Sequence, residues 1–130
     1  MAVRCLLVDD SVEFLAAAAR LLRARGLTVV GQVTSSDDAR RLARELRPDV
    51  ALVDVELGDE DGIETARRLT TDDPSLTVIL ISLRDRNELA ELLVGSGAAG
   101  FLRKDTLDAR AVVDLMVEWR QRDAGPRATD

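Results

Sequence analysis

The chain has no histidine and no tyrosine, one cysteine, and only three aromatic residues among 130, namely Phe14, Phe101 and Trp119. Each scarcity excludes something. With Cys5 alone there is no internal disulfide, which fits a reducing compartment, and a lone thiol inside an apolar run reads as a small buried hydrophobe. So few aromatics leave an aliphatic core and no interleaved aromatic surface on which single-stranded bases could stack. No apolar run approaches the roughly 20 residues of a membrane span. The opening residues lack the charged-then-apolar layout of a signal peptide, so the cytoplasm is the expected location. A net charge of −6 opposes non-specific attraction to a nucleic-acid backbone or an anionic membrane. Neither direct nucleic-acid binding nor a membrane partner is therefore expected.

What is present describes one folded domain. Hydrophobic residues make up 46% and charged residues 32%, in a length suited to a single core. Residues 3–8 form a nearly continuous apolar run, the signature of a central parallel strand covered on both faces, and it stops at Asp9. Ser11 caps a helix with Phe14, Leu15, Ala18, Leu21 and Leu22 at helical spacing, and Gly26 ends it. A second strand over 28–33 is followed by a helix capped by Ser35 or Ser36, which ends before Pro48. A third strand, 50–53, leads to Asp54. Residues 55–62 read as an acidic loop, followed by a third helix carrying Ile63, Ala66 and Leu69. A fourth strand over 77–81 ends at Ser82. Asp85 or Asn87 opens a fourth helix with Leu89, Leu92 and Leu93 inward. A fifth strand, 98–102, precedes a last helix with Val112, Leu115, Met116 and Trp119 at helical spacing.

Five strands alternating with five helices predict an α/β fold: a single-domain (βα)5 unit with a doubly wound, parallel five-stranded sheet of flavodoxin-like strand order 2-1-3-4-5. The domain is expected over residues 1–122. Residues 123–130 are expected to be a flexible tail or the start of an interdomain linker.

In such a sheet the carboxyl ends of the strands meet at one crevice. There the pattern gathers Asp9 and Asp10 after the first strand, Asp54 after the third, Ser82 after the fourth and Lys104 after the fifth. Like charges about 4 Å apart repel by roughly 4 kcal/mol at an effective dielectric near 20, so the cluster calls for a cation or phosphoryl chemistry. Clustered carboxylates suit Mg²⁺, which keeps several waters and accepts phosphate oxygens. A carboxylate can itself attack phosphorus, and Asp54, central in the order, is the best nucleophile. Ser82 could donate a hydroxyl hydrogen bond to the new phosphoryl oxygens. Taken singly, an acidic pair is commonly a helix cap, a strand-end serine a turn residue and a lysine a solvated charge. Their conjunction at four strand ends reverses those readings.

Leu6-Leu7-Val8-Asp9-Asp10, the stretch from Asp54 to Gly62, and the order of Ser82, Phe101 and Lys104 resemble the receiver domain of bacterial two-component response regulators. The segment 100–105 is most similar to the NarL/FixJ branch of transcriptional regulators. The resemblance implies phosphorylation at Asp54. It implies Mg²⁺ held by Asp10, Asp54 and the Glu56 backbone carbonyl, with Asp9 acting through water. It implies that Lys104 pairs with the phosphoryl oxygens, and that Ser82 and Phe101 form the switch. The sequence departs from the pattern at Gly58, Leu83 and Asp105, where proline, a small residue and proline are usual, and Glu56 adds a carboxylate beside the metal site. Altered phosphorylation or dephosphorylation rates are the expected result.

The leading reading is thus a phospho-accepting switch rather than an enzyme with turnover on a substrate. Lacking histidine, the chain would take its phosphoryl group from a separate sensor histidine kinase and pass the signal, through the surface of helix four, strand five and helix five, to a downstream output domain or protein. Regulation of transcription through an absent or separate DNA-binding domain is the expected output. A homodimer through helices four and five, using Val113, Asp114, Val117 and Arg120, is weighed against a plain solvated face, which is slightly preferred. Two rivals are a phosphorylation-independent interaction or dimerisation module and an aspartyl-phosphate hydrolase; against the latter, no cap insertion is visible.

Overall fold

The computed structural model describes residues 2–128, with backbone only at Arg86 and over 123–128. Its elements alternate along the chain: β1 (Arg4–Val8), α1 (Val12–Ala24), β2 (Thr28–Val33), α2 (Ser36–Leu46), β3 (Val50–Asp54), β4 (Glu56–Leu57), β5 (Glu60–Asp61), α3 (Gly62–Asp72), β6 (Thr77–Ser82), α4 (Arg86–Leu93), β7 (Gly100–Arg103), a 3₁₀ turn (Lys104–Thr106) and α5 (Ala109–Ala128). The five main strands are all parallel and lie in the order β2-β1-β3-β6-β7. Counted along the chain without the short β4–β5 pair, this is the expected 2-1-3-4-5 arrangement.

Alternation along the strands splits the core into two layers. Leu6, Val8, Ala51, Val53, Val78 and Leu80 face α2, α3 and α4, where they meet Ala39, Ala43, Ile63, Ala66, Leu69 and Leu89. Cys5, Leu7, Val50, Leu52, Ile79 and Ile81 point the other way, onto Leu15, Ala18, Leu22, Val112 and Met116 of α1 and α5. Central strands apolar on both faces are what a sheet covered by helices requires. Burying each leucine or isoleucine contributes about 1.5–3 kcal/mol, which makes this aliphatic sandwich the main source of stability.

Helix starts follow local chemistry. Ser11 Oγ accepts from the Phe14 N–H at 3.1 Å, Ser35 Oγ from that of Asp38 at 3.2 Å, and Asp61 Oδ1 from that of Ile63 at 2.9 Å. Arg47, in the left-handed region at φ 47°, closes α2 before Pro48.

Three expectations are corrected. Residues 55–62 form a small antiparallel hairpin turning at Gly58, whose φ of +61° favours glycine. Its acidic residues face out, but Val55 and Leu57 are buried in the core, and the Glu60 carboxylate accepts from the Ser36 N–H at 3.0 Å. The acidity that suggested an unstructured loop belongs to one side of a two-sided element. In α4 Leu89 is fully buried and Leu93 packs partly buried against the same layer, as expected, while Leu92 is exposed, because Leu89 and Leu93 share one side of the helix at i, i+4 and Leu92 lies off it. Finally, α5 runs to Ala128 rather than ending near Arg122. Arg120, Gln121, Arg122 and Ala124 are good helix formers, and no glycine or proline interrupts them before Gly125. Thr129 and Asp130, the end of the expected tail, lie outside the described residues.

The hairpin's role in the core can be measured. Leu57→Ala should cost about 2–5 kcal/mol in urea denaturation, as for other buried leucines; a cost within about 0.5 kcal/mol, typical of exposed positions, would place residue 57 on the surface instead.

Candidate functional site

The strand ladders continue just far enough to fix the acids. Asp9 follows β1 and donates its N–H to the Val33 carbonyl at 3.1 Å, while Asp54 closes β3 beside Ile81 and the next N–H, of Val55, bonds the Ile81 carbonyl at 3.0 Å. Gly62 then brings the start of α3 against the same point. A Cβ on Gly62 would lie 1.7 Å from the Asp54 carbonyl oxygen, so no larger residue fits there. The 55–62 hairpin thus leaves Asp54, turns at Gly58 and is pinned back onto Asp54 eight residues later.

Asp9, Asp10 and Asp54 each bring a carboxylate oxygen within 4.8 Å of the others. Asp9 is wholly buried, Asp54 is 6% exposed, and Asp10 stands at the solvent edge. Lys104, presented by the 3₁₀ turn after β7, reaches between the inner two: its Nζ is 2.6 Å from Asp9 Oδ2 and 3.4 Å from Asp54 Oδ2. The ammonium also lies 4.4 Å from the centroid of the Phe14 ring, a cation–π contact beneath the site. The Asp9 contact is a close ion pair off the hydrogen-bonding direction, which leaves Oδ2 buried without a directed donor. The other acid oxygens are placed by backbone: Asp9 Oδ1 accepts from the Ser11 N–H at 2.8 Å and Asp54 Oδ1 from the Glu56 N–H at 3.1 Å.

Three converging carboxylates against one ammonium, with a buried oxygen lacking a directed donor, fit a hard divalent cation that takes oxygen ligands. Electrostatics agree. Burial pushes the Asp54 carboxyl up to about 6, the Glu56 N–H opposes the shift, repulsion from Asp9 adds to it and Lys104 moderates it. Burial alone would lower Lys104, but contact with Asp9 and the charge of Asp54 outweigh it and raise the ammonium's pKa.

Above these groups opens a cleft of about 600 Å³, lined by Asp10, Asp54, Ser82, Arg84, Arg103 and Lys104 among others. Ser82 is buried at its floor, with Oγ accepting from the Arg84 N–H at 3.0 Å. Phe101 is half-buried on β7 and packs against the core layer under α2–α4. Leu83 is exposed at the rim. The residues singled out at the strand ends therefore do converge, while Phe101 pairs with Leu80 two positions before the Ser82–Arg103 pair.

Sequence reasoning missed the rim. Arg84 pairs with Glu56 across the cleft, and Arg103 contacts both Asp85 and Asp105. Their positions directly after β6 and at the end of β7 were the available signal. On α5, Val113 packs at the core's edge, Asp114 and Val117 are exposed, and Arg120 lies 3.7 Å from Asp49.

A doubly wound sheet with this acid cluster and its lysine defines a receiver. The chain belongs to the response regulator receiver domain family, whose profile matches residues 5–116. It is similar to the response regulator GacA of Pseudomonas aeruginosa, 35% identical over 103 residues covering 78% of this chain and 48% of that protein. UvrY of Escherichia coli is 30% identical over the same length, covering 78% and 47%. Among solved structures, the signal receiver domain of the response regulator NarL from Mycobacterium tuberculosis superposes with a TM-score of 0.80 at 31% identity, covering 88% of this chain and 96% of that one. The expected NarL/FixJ kinship thus holds. The chain spans about half the length of the curated relatives it matches. Among the described residues no helix is long and apolar enough to cross a membrane.

The raised Asp54 pKa makes stability depend on pH in a known sense. A carboxyl at about 6 when folded, against the ordinary 3.8, stabilises the fold fully below about 3.8, and that contribution is lost as pH rises through about 6. Asp54→Asn, which cannot ionise, should therefore be more stable than the parent by about 2–3 kcal/mol at pH 8 in chelator-treated buffer, the gap closing below pH ~4. Urea denaturation across that range measures it; a gap independent of pH would show that Asp54 ionises freely.

Proposed function

We propose that the chain is a two-component receiver that accepts a phosphoryl group on Asp54 from a partner sensor histidine kinase and switches an output surface in response. The observation that carries this is Asp54 itself: a buried carboxylate with Lys104 at 3.4 Å, opening onto a cleft at the carboxyl ends of the strands.

In the proposed reaction an oxygen of ionised Asp54 attacks phosphorus, the phosphorus–nitrogen bond to the kinase imidazole breaks, and the imidazole leaves with its electron pair. Asp10, Asp54 and the Glu56 backbone carbonyl would hold Mg²⁺, with Asp9 behind them acting through water. When bound, the ion supplies charge neutralisation for the carboxylates and the transferring group. Lys104 exchanges part of its contact with Asp9 and Asp54 for the phosphoryl oxygens. Ser82 turns its hydroxyl from the Arg84 N–H toward the phosphoryl group. Phe101, half-buried on the adjacent strand β7, takes up the space released. This shifts a two-state equilibrium at α4, β7 and α5. The chain then acts as a switch, with phosphotransfer and self-dephosphorylation its only chemistry. Regulation of transcription as the output is part of the same proposal, in keeping with the resemblance to the NarL/FixJ branch of transcriptional regulators. The acidic surface and lack of stacking aromatics support protein rather than nucleic-acid or membrane partners, and the single free thiol of Cys5 supports a reducing, cytoplasmic setting.

Incubation with Mg²⁺ and acetyl phosphate should add one phosphoryl group to the intact mass, and Asp54→Asn should add none. Lys104→Ala should slow the reaction roughly 100-fold, the usual cost of removing one preorganised charge-stabilising donor. No mass gain under conditions that label other receivers would favour a phosphorylation-independent interaction module, which would also keep its partner affinity unchanged in Asp54→Ala.

A further inference from the structure

Four of the five α-helices begin with a side chain that accepts a hydrogen bond from the first turn: Ser11, Ser35, Asp61, and Asp108, whose Oδ1 accepts from the Arg110 N–H at 3.0 Å. The fifth, α4, does not. Asp85 occupies its N-cap position with extended backbone, at φ −71° and ψ 150°, yet makes no side-chain cap. Among the described residues that turn is held by backbone, with the Glu88 N–H donating to the Asp85 carbonyl at 3.1 Å.

The Asp85 carboxylate is engaged elsewhere. Arg103 Nη1, at the end of β7, donates to Asp85 Oδ1 at 3.0 Å, while Nε and Nη2 of the same guanidinium hold both Asp105 oxygens at 3.0 Å. Arg103 and Asp105 flank Lys104 in sequence, and Asp85 lies three residues after Ser82. One exposed guanidinium thus joins the turn carrying the phosphoryl-binding lysine to the turn carrying the switch hydroxyl. Arg103, Asp85, Ser82 and Lys104 all line the same cleft.

We propose that Arg103 is a positioning residue that regulates this site by withholding Asp85 from the N-terminus of α4, so that phosphorylation of Asp54 releases Asp85 to cap the helix. This rests on the reading of Asp54 as phospho-acceptor. Ser82 accepts from the Arg84 N–H in the present state; when it turns to the phosphoryl group, the 82–85 turn moves with it and draws Asp85 off Arg103. Arg103 keeps its two-pronged contact with Asp105, so the release leaves no guanidinium unpaired. Asp85 then offers its carboxylate to the N–H of Asn87 or Glu88, the donors a capping side chain reaches. An exposed ion pair and a helix cap are of similar strength, so the two arrangements lie close in free energy and a modest bias selects between them. The result links Lys104, the switch hydroxyl and α4 through one charged side chain.

Amide hydrogen exchange in the first turn of α4 tests this without relying on phosphorylation. Asparagine caps as well as aspartate but carries no charge for Arg103, so Asp85→Asn should slow exchange at Asn87 and Glu88 roughly fivefold in unphosphorylated protein, the ratio expected from one cap. Arg103→Gln, which frees Asp85, should do the same. Asp85→Ala can make neither contact and should slow nothing. If Asp85→Asn and Arg103→Gln both exchange like the parent, the proposal is overturned, whatever the mass assay shows. A second arm adds Mg²⁺ and acetyl phosphate: labelled parent should slow as the Asp85→Asn variant does, and labelled Asp85→Ala should not. Failure to label leaves the first arm standing and indicts the Asp54 reading instead. Labelling without slowing in the parent overturns the link between them.

Discussion

The structure is organised around the burial of two carboxylates, Asp9 and Asp54, next to one another and their partial neutralisation by Lys104. At separations near 4 Å such charges repel by roughly 4 kcal/mol even at an effective dielectric of about 20, a large fraction of a domain's net stability. An arrangement that costs this much persists because the surrounding parts enforce it. The aliphatic layers on both sides of the sheet hold β1 and β3 in register, and the 3₁₀ turn after β7 carries Lys104 across two strands. The Phe14 ring supports the ammonium from below. A fold that spends its core rigidity in this way keeps a pocket of excess negative charge that a hard cation would offset.

Around this buried layer lies a second, exposed one made of arginines. Arg84 bridges to Glu56 and Arg103 to Asp85 and Asp105, so each turn at the cleft's mouth is tied to another through a guanidinium. Solvent screens such pairs, which makes them weak as struts and suitable as contacts to be exchanged. The inner charges define what chemistry the site supports; the outer ones connect that chemistry to α4, the element with the least help from its own cap.

Much of this was legible in the chain. Strand ends carry the site, strands show as apolar runs and helices as spaced aliphatics, so Asp9, Asp54, Ser82 and Lys104 could be placed together without coordinates. Ser11 and Ser35 announced their helices through their own capping chemistry. The hairpin at 55–62 was hidden because Leu57 is one apolar residue among carboxylates, and burial of a single side chain leaves no periodicity to detect. The extension of α5 was hidden by Gly125 and Pro126, whose usual meaning is a stop. The roles of Arg84 and Arg103 were hidden for another reason: a surface arginine has no preferred sequence context, and its partner is settled only when two turns from distant parts of the chain meet.

The contact between Gly62 and the Asp54 carbonyl carries a lesson about how this loop can change. Because the chain must leave Asp54 and return to touch it, the constraint acts on the length of the excursion more than on the residues within it. Glu56 and Asp59 stand on the outside of the hairpin, where substitution alters surface charge and little else in the backbone, whereas Glu60 is tied to the Ser36 N–H. Inserting or deleting one residue there would carry Gly62 out of reach and put a side chain where none fits. The segment after Asp54 is therefore free to drift at its outward positions and fixed in length, which lets one backbone frame be retuned in charge while the carboxylate it presents stays where it is.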